Sequence, residues 1–403
     1  MAKPQILVGL EIGTSKICAV VAETHPERAL RILGVGETPS RGVRKGEIID
    51  FSTASKCVAE AIDDAEEKAD VDITSVWAAV TGAHIESFNS RGAITISQDK
   101  DEIDEDDQNA VEISAREVSI PSANYFLHTL IQHYYIDGQE GILDPIGMIG
   151  HRLEAEYHIV HGVHTRTQNI TNCIQETGVV VDDIVVSSFA TAQVVIDSQQ
   201  KEQGVAIFDI GGGVTDFIVY VDGVIRHSGV LAVGGDHITS DLSQCLRIPI
   251  SKAEKLKIDQ GSCSLKNLIP GDTIILRNDA GFSGREIERS MLNGIINARV
   301  EELFYLLRKK IEEVCPLSLL GAGIVITGGS SQLKGLVELA GEVFDIPVRT
   351  SFAKNVSGPT SAFENPAYAT SIGLIRFAQA VGASMEQDSM FQSIKKIFRF
   401  KLF

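Results

Sequence analysis

No stretch of this chain approaches about 18 consecutive uncharged apolar residues, so nothing in it reads as a helix that crosses a bilayer. Cysteine is sparse: six residues, at 18, 57, 173, 245, 263 and 315, with no Cys-x-x-Cys pair and no cluster at metal-binding spacing. That usage points to buried free thiols in a reducing cytosol. Basic residues are in deficit, 36 Lys and Arg against 54 Asp and Glu, for a formal net charge of −18. Such a chain is a poor general ligand for DNA, RNA or anionic lipid. No nucleic-acid partner is expected, and any membrane contact must come from a local basic segment. The opening MAKPQILVGLEIG has one lysine and an apolar run that breaks at Glu11 and Gly13, without the h-region or cleavage site of a signal peptide. What the chain does have is length and apolar content. Its 403 residues, 44% hydrophobic and 22% charged, are enough for two or more packed domains.

The strongest internal signal is a repeat. Residues 6–23 read ILVGLEIGTSKICAVVAE and residues 205–222 read VAIFDIGGGVTDFIVYVD. Each is an apolar, Val- and Ile-rich run, then an acidic residue, an apolar residue and glycine, a short polar turn, and a second apolar run. This predicts two β-hairpins of one design, half a chain apart, and hence two related lobes. A third signal, GIVITGGSSQLKGLVEL (323–339), is a strand, a glycine turn and an amphipathic helix, an arrangement suited to anions or nucleotides. Between these lie two inserts. One, about 82–162, begins with a strand-like HIESFNSRGAITIS and an acidic run that starts a helix at Asp104 or Glu105. The other, 225–300, reads as helices followed by a short strand, TIILRN. His151, His158, His161 and His164 read as ordinary strand and surface histidines, because only two of the four share a strand face.

Small residues in the hairpin turns let backbone N–H groups approach an anion closely. Two such turns facing each other clamp a triphosphate from both sides. Gly13, Thr14 and Ser15 offer N–H groups in the first, with Lys16 as a point charge; Gly211, Gly212, Gly213 and Thr215 serve in the second. Glu11 and Asp209, at the strand ends, suit Mg²⁺ held largely through water. Gly328, Gly329 and Ser330 would pack on adenosine.

LEIGTSKI, FDIGGGVTDF and ITGGSSQLKGL resemble, in order, the first phosphate, second phosphate and adenosine motifs of the actin, DnaK-type chaperone and sugar-kinase superfamily. The resemblance implies an α/β, actin-like fold of two lobes with ATP and Mg²⁺ in the cleft. Glu254 and Lys257 match a pair that borders adenine and ribose in that superfamily; as an i, i+3 pair on one helix face they read equally as an exposed ion pair. RGVRKGEIIDF (41–51), HYYIDGQEGILDPIGMIGHRLE (133–154) and a basic amphipathic tail resemble the FtsA family, over essentially the whole chain. That family implies these divisions: 1–81 first-lobe core; 82–162 an SHS2-like α+β insert that contacts the next subunit of a filament; 163–200 return to the first lobe and the connecting helix; 201–224 second-lobe core. It continues with 225–300 as the outer insert receiving the FtsZ C-terminal peptide, 301–358 as second-lobe core with the adenosine motif, 359–383 as a closing helix, and 384–403 as polar linker and membrane helix. Asp236, Arg285, Glu288, Ser290 and Asn293 are the polar candidates for the FtsZ contact, against a plain solvated surface.

One departure stands out. Chaperones and actin have an acidic or amide residue on the helix between lobes that positions the attacking water. Here the matching stretch, VVSSFATAQVVI (185–196), holds Ser188, with Gln193 as the substitute if the match slips. Serine is no carboxylate base at neutral pH, and Glu11 stands where Asp is more usual, so weak or no ATPase activity is expected. The tail, MFQSIKKIFRFKLF, placed on a helix, puts Met390, Phe391, Ile394, Ile397, Phe398 and Leu402 within about 140° of arc. Lys395, Lys396 and Arg399 lie opposite or on its flanks. Such a helix lies in a membrane interface, and polymerisation multiplies a weak anchor by avidity. The expectation is a division protein that polymerises on the cytoplasmic face of the inner membrane, anchors FtsZ and recruits later division proteins. The alternatives are a small-molecule kinase or a pilus-assembly protein of the same superfamily. A chaperone would need a further peptide-binding domain, for which the chain ends too soon.

Overall fold

The computed structural model describes residues 5–25, 29–97, 102–266, 268–278 and 282–388. The membrane candidates Phe391, Ile394, Lys395, Lys396, Ile397, Phe398 and Arg399 lie outside the described residues.

Two sheets carry the molecule, and the second repeats the plan of the first. In the first, strand Gln5–Ile12 pairs antiparallel with Lys16–Thr24 and parallel with Ser75–Val80. Leu30–Pro39 continues the meander, Val356–Ser357 extends its edge, and Val180–Val186 closes the other edge. In the second, Val205–Ile210 pairs antiparallel with Thr215–Val221 and parallel with Ile324–Thr327. Val224–Leu231 continues that meander to one edge, and Val348–Thr350 forms the other. The predicted hairpins are therefore present, in register Glu11 opposite Cys18 and Asp209 opposite Asp216. Their strands are buried on both faces, as expected for continuous apolar runs in sheets covered by helices.

The helices form where caps and periodicity demand. Phe51–Ala69 starts at Asp50, whose side chain accepts the Thr53 N–H, and it buries Ala54, Cys57, Val58, Ala61, Ile62 and Ala65 at three- and four-residue spacing. It packs on strand Leu30–Pro39. Ala369–Asp388 packs against Ser187–Val195 and joins the two lobes' inner faces. A fourfold-stranded unit, in order Glu86–Thr95, Arg152–Val163, Asn124–Ile136, Gln139–Ile142, carries helix Glu105–Arg116 on one face. It has a core of its own, with Ile103, Val111, Tyr134, Leu153 and Ile159 among its buried residues. The helix begins at Asp104 through a capping box with Asp107.

Several boundaries differ from expectation. Strand Val224–Leu231 belongs to the second-lobe sheet, so the outer insert begins only after it. Helix Arg289–Glu312 runs through the expected boundary at 300, because its buried face continues unbroken from Leu292 to Ile311. Residues 384–388 continue the last helix where a linker was expected; Met, Glu and Gln are good helix formers, and no Gly or Pro intervenes before Asp388. Of the six cysteines five are buried and free, while Cys245 is exposed.

Candidate functional site

The two hairpin turns have the same wiring. Gly13 N–H donates to the Lys16 carbonyl at 3.0 Å, and Gly211 N–H to the Val214 carbonyl at 3.0 Å. They face each other across the gap between lobes so closely that a Cβ on Gly213 would lie 2.4 Å from Thr14 Oγ1. Only glycine fits there. Thr14 Oγ1 itself accepts the Gly46 N–H at 3.0 Å, which ties the RKGEI segment to the first turn. The third glycine turn closes the set. Gly328 adopts φ +85° with its Cα against Asp209, where a Cβ would meet Oδ1 at 2.3 Å, and Ser330 Oγ donates to the Gly211 carbonyl at 3.0 Å. Together these turns line a cleft of about 600 Å³.

Its electrostatics are lopsided. Glu11, Glu37, Asp209, Asp216, Asp236 and Glu254 line it against Lys16, Lys257 and Lys334. Glu11 is half-buried, and desolvation pushes its carboxyl up to about 7, with Lys16 pulling it down and Asp209 pushing further up. Asp209 is also raised by burial, partly offset by hydroxyl donors: Thr370 Oγ1 at 2.8 Å and Thr191 Oγ1 at 2.9 Å. Asp216 is raised well above the usual carboxylate range by burial and then by Asp209. Both its oxygens accept from Thr81 Oγ1, at 2.7 and 2.9 Å. Each of these pairs crosses between lobes, so first-lobe hydroxyls hold second-lobe acids. The Lys16 ammonium lies 4.2 Å from the centre of the Tyr368 ring and 4.0 Å from Glu37, but it is buried and makes no hydrogen bond.

Two family models match this chain: "Cell division protein FtsA" over residues 206–373, and "SHS2 domain inserted in FTSA" over residues 82–161. Cell division protein FtsA of Pseudomonas aeruginosa is 38% identical over 391 residues, spanning 97% of this chain and 92% of that protein. FtsA of Escherichia coli K12 is 35% identical over 383 residues, spanning 93% and 90%. The chain belongs to the FtsA family of cell division proteins. The fold comparison agrees at the level of architecture. A PilM–PilN type IV pilus biogenesis complex matches with TM-score 0.64 at 15% identity, over 93% of this chain and 98% of that one. MreB 5 of Spiroplasma citri bound to AMPPNP matches with TM-score 0.57 at 14% identity, over 96% and 99%. Those likenesses show an actin-like fold.

Within this FtsA-family fold the predicted residues separate. Gly13, Thr14, Ser15, Lys16, Glu11, Asp209, Gly211, Gly212, Gly213, Glu254, Lys257, Gly328, Gly329 and Ser330 all line the cleft. Thr215 sits one step behind, fully buried, with its hydroxyl donating to the Val233 carbonyl at 2.8 Å. Lys257 is no exposed ion-pair member. It is buried, bonding Glu254 at 2.7 Å, Thr239 Oγ1 at 2.9 Å and the Gly235 carbonyl at 3.2 Å. Two surface candidates are corrected. Asp236 sits at the start of helix Gly235–Leu246, where the chain returns to the cleft, and it lines the same cavity. Asn293 lies on the inner face of helix Arg289–Glu312, 4% exposed, donating to the Ser264 carbonyl at 3.1 Å. Arg285, Glu288 and Ser290 are exposed.

The connecting helix supplies the other finding. Ser188 is buried with its hydroxyl unbonded, and Gln193 donates to its own helix at the Phe189 carbonyl, 3.3 Å away. Ser187 reaches the cleft and Thr191 holds Asp209. The sequence reading missed Asp216, Thr81, Thr191 and Thr370. Asp216 alone carried a signal, a lone acid inside a strand otherwise built to be buried. The histidines at 158 and 161 are buried and those at 151 and 164 exposed. Among the described residues no three His, Cys, Asp or Glu are grouped to hold a metal, and no helix is long and apolar enough to cross a membrane.

Proposed function

We propose that this chain binds ATP with Mg²⁺ between its lobes, assembles in that state, and hydrolyses the nucleotide slowly or not at all. The observation that carries the reading is the buried, hydrogen-bond-free Lys16 ammonium, set between two glycine turns that only glycine can bring so close. The ammonium's neighbours are the Tyr368 face and Glu37 at 4.0 Å, and a phosphate oxygen in the cleft would give it the charge-assisted hydrogen bond it lacks. The turn amides of residues 13–15 and 211–213 would hold the phosphates, and Gly328, Gly329 and Ser330 the adenosine, with Glu254 and Lys257 across from them. Glu11 and Asp209 suit a hydrated Mg²⁺, whose charge would neutralise the phosphates and the surplus carboxylates at once. Catalytic weakness follows from the connecting helix. Its residue on the cleft wall is Ser187, with Thr191 behind it holding Asp209, and neither can take a proton from water at neutral pH.

Membrane and FtsZ attachment complete the reading. The basic amphipathic segment 390–403 would lie in the membrane interface. For the FtsZ C-terminal peptide, an open groove of about 450 Å³ lies between helices Gly235–Leu246 and Arg289–Glu312. Met291 and Ile295 give it apolar surface, and Arg299, paired with Asp241 at 2.5 Å, gives it a charged rim. Exposed Arg285, Glu288 and Ser290 neighbour it in sequence.

Co-sedimentation with anionic vesicles tests the whole reading, using the full chain and a chain ending at Asp388, each with and without Mg-ATP. The full chain should pellet, more strongly with Mg-ATP, and the shortened chain should stay in solution while still binding nucleotide. If both stay in solution with ATP bound, the anchor reading fails. If neither binds ATP, the nucleotide reading fails.

A further inference from the structure

The insert leaves and rejoins the chain through the first lobe, yet it grips both lobes, by different chemistry. Its joint with the first lobe is apolar. Ile85, Leu127, Leu130 and Val160 share one buried cluster with Val80, Val186 and Phe189. Its two connecting segments are stapled where the Val163 N–H donates to His84 Nδ1 at 3.2 Å. A joint of that kind moves as one body, because opening it exposes apolar surface at about 25 cal/mol per Å².

Its joint with the second lobe is mostly polar, with Tyr220 and Ile225 as the apolar members that reach the same buried cluster. Strand Val224–Leu231 is the edge of the second sheet, where main-chain groups lack a strand partner. A bulge there leaves Arg226 out of the pairing register. Side chains of the insert take the place of the missing strand. Ser87 Oγ donates to the Ser228 carbonyl at 2.6 Å, Asn89 Nδ2 to the Arg226 carbonyl at 3.1 Å, and Gln132 Nε2 to the Ile225 carbonyl. His158, wholly buried, fixes the arrangement. Its Nδ1 faces Asn89 Oδ1 at 2.7 Å and its Nε2 faces Ser228 Oγ at 2.8 Å, which makes Nδ1 the protonated nitrogen and Nε2 the acceptor. Gln132 reaches the edge because the insert's own ladder slips at that point, between Glu156 and Tyr157. The joint also has slack. A cavity of about 30 Å³, lined by Gln132, His158, Tyr220 and Ile225, holds the buried Tyr220 hydroxyl and Gln132 Oε1, neither with a hydrogen-bond partner.

The gripped strand pairs along its length with Thr215–Val221, which carries Asp216 and the second glycine turn at its other end. None of Ser87, Asn89, Gln132 and His158 lines the cleft. We infer that the insert is a second latch on lobe closure: it rides with the first lobe, and its side-chain grip on edge strand Val224–Leu231 holds the second lobe closed from the far end of the strands that bear the phosphate turn. This rests on the nucleotide reading for what closure serves. The polar grip is the joint that yields, since water replaces each of its hydrogen bonds at a net cost of about 1 kcal/mol. A ligand that needs the closed form then binds more weakly by the fraction of closed molecules lost.

The test is the full chain with Asn89→Ala and Gln132→Ala, compared with wild type for Mg-ATP affinity and for amide hydrogen exchange along 224–231. Loss of the two bonds to the edge strand, and of the Asn89 oxygen that His158 Nδ1 faces, should weaken affinity about 5- to 30-fold and speed exchange in that strand, although no cleft residue has changed. Faster exchange with unchanged affinity overturns the coupling. Unchanged exchange overturns the grip. Should the double variant fail to fold, Ser87→Ala removes the hydroxyl that donates to the Ser228 carbonyl and accepts the Ser228 N–H, and should weaken affinity at least about fivefold on the same logic. Wild-type protein that binds no Mg-ATP overturns the nucleotide reading and the latch's purpose with it, whereas wild type that binds and variants that bind equally overturn the latch alone.

Discussion

Asp216 and His128 show how far burial governs single residues here. Asp216 stands in a fully buried strand, and among the described residues its side-chain donor is Thr81, across the interlobe gap. A carboxylate so placed is costly unless protonated, paired or answered by a cation, which is why Glu11, Asp209 and Asp216 bear on the proposed Mg²⁺ together. His128 is the reverse case. Half-buried between Phe189 and Phe377, it accepts the Val186 N–H at 3.2 Å, and desolvation pulls its pKa down to about 4. It stays neutral in the folded chain and charges in the unfolded one near the ordinary 6.5. Its contribution is therefore complete above pH 6.5 and is lost as pH falls toward about 4. Replacing it removes one proton from the difference, whatever it does to stability at pH 7. Between pH 6 and pH 5, the unfolding free energy of wild type should drop by about 1.2 kcal/mol more than that of His128→Phe, measured by urea titration. Parallel slopes would show that the ring is charged in the folded state.

Local rules made the elements legible where neighbours in sequence settle the matter. The hairpins follow from apolar runs around a glycine turn, and the helix at Asp104 from a cap followed by acidic residues. Asp104→Ala removes the acceptor for the Asp106 and Asp107 N–H groups. It should cost about 1 kcal/mol, read as roughly fivefold faster amide exchange across 105–116, with Asp104→Asn restoring most of it. Exchange unchanged in the alanine variant would mean that packing on strand Glu86–Thr95 carries the helix alone. Local rules failed where distance in sequence decides. Thr191 and Thr370 look like ordinary helix residues until the fold brings both to Asp209. Val224–Leu231 reads as the start of an insert until it pairs with Thr215–Val221. Asp236 reads as surface because nothing nearby says that its helix starts back at the cleft.

At the scale of the molecule, two lobes of one plan close on a cavity whose walls carry six carboxylates and three lysines. The duplication was legible because both hairpins keep the same order of acid, apolar residue and glycine; the charge imbalance was not, since it sums residues from 11 to 334. That imbalance makes a prediction of its own. ATP alone would bring further negative charge to walls already in excess, and Lys16 is one cation against Glu11, Asp209 and Asp216 nearby. Unit charges about 4 Å apart interact by about 4 kcal/mol at an effective dielectric of 20, so no arrangement of turn amides offsets that repulsion without a cation. Calorimetric titration with ATP should show affinity falling more than tenfold, about 1.4 kcal/mol, when EDTA replaces Mg²⁺. Glu11→Gln combined with Asp209→Asn should shrink that difference, because the variant walls need less neutralising. Affinity equal within twofold in EDTA would mean that the acids stay protonated in the bound state and that the cleft takes nucleotide without a metal.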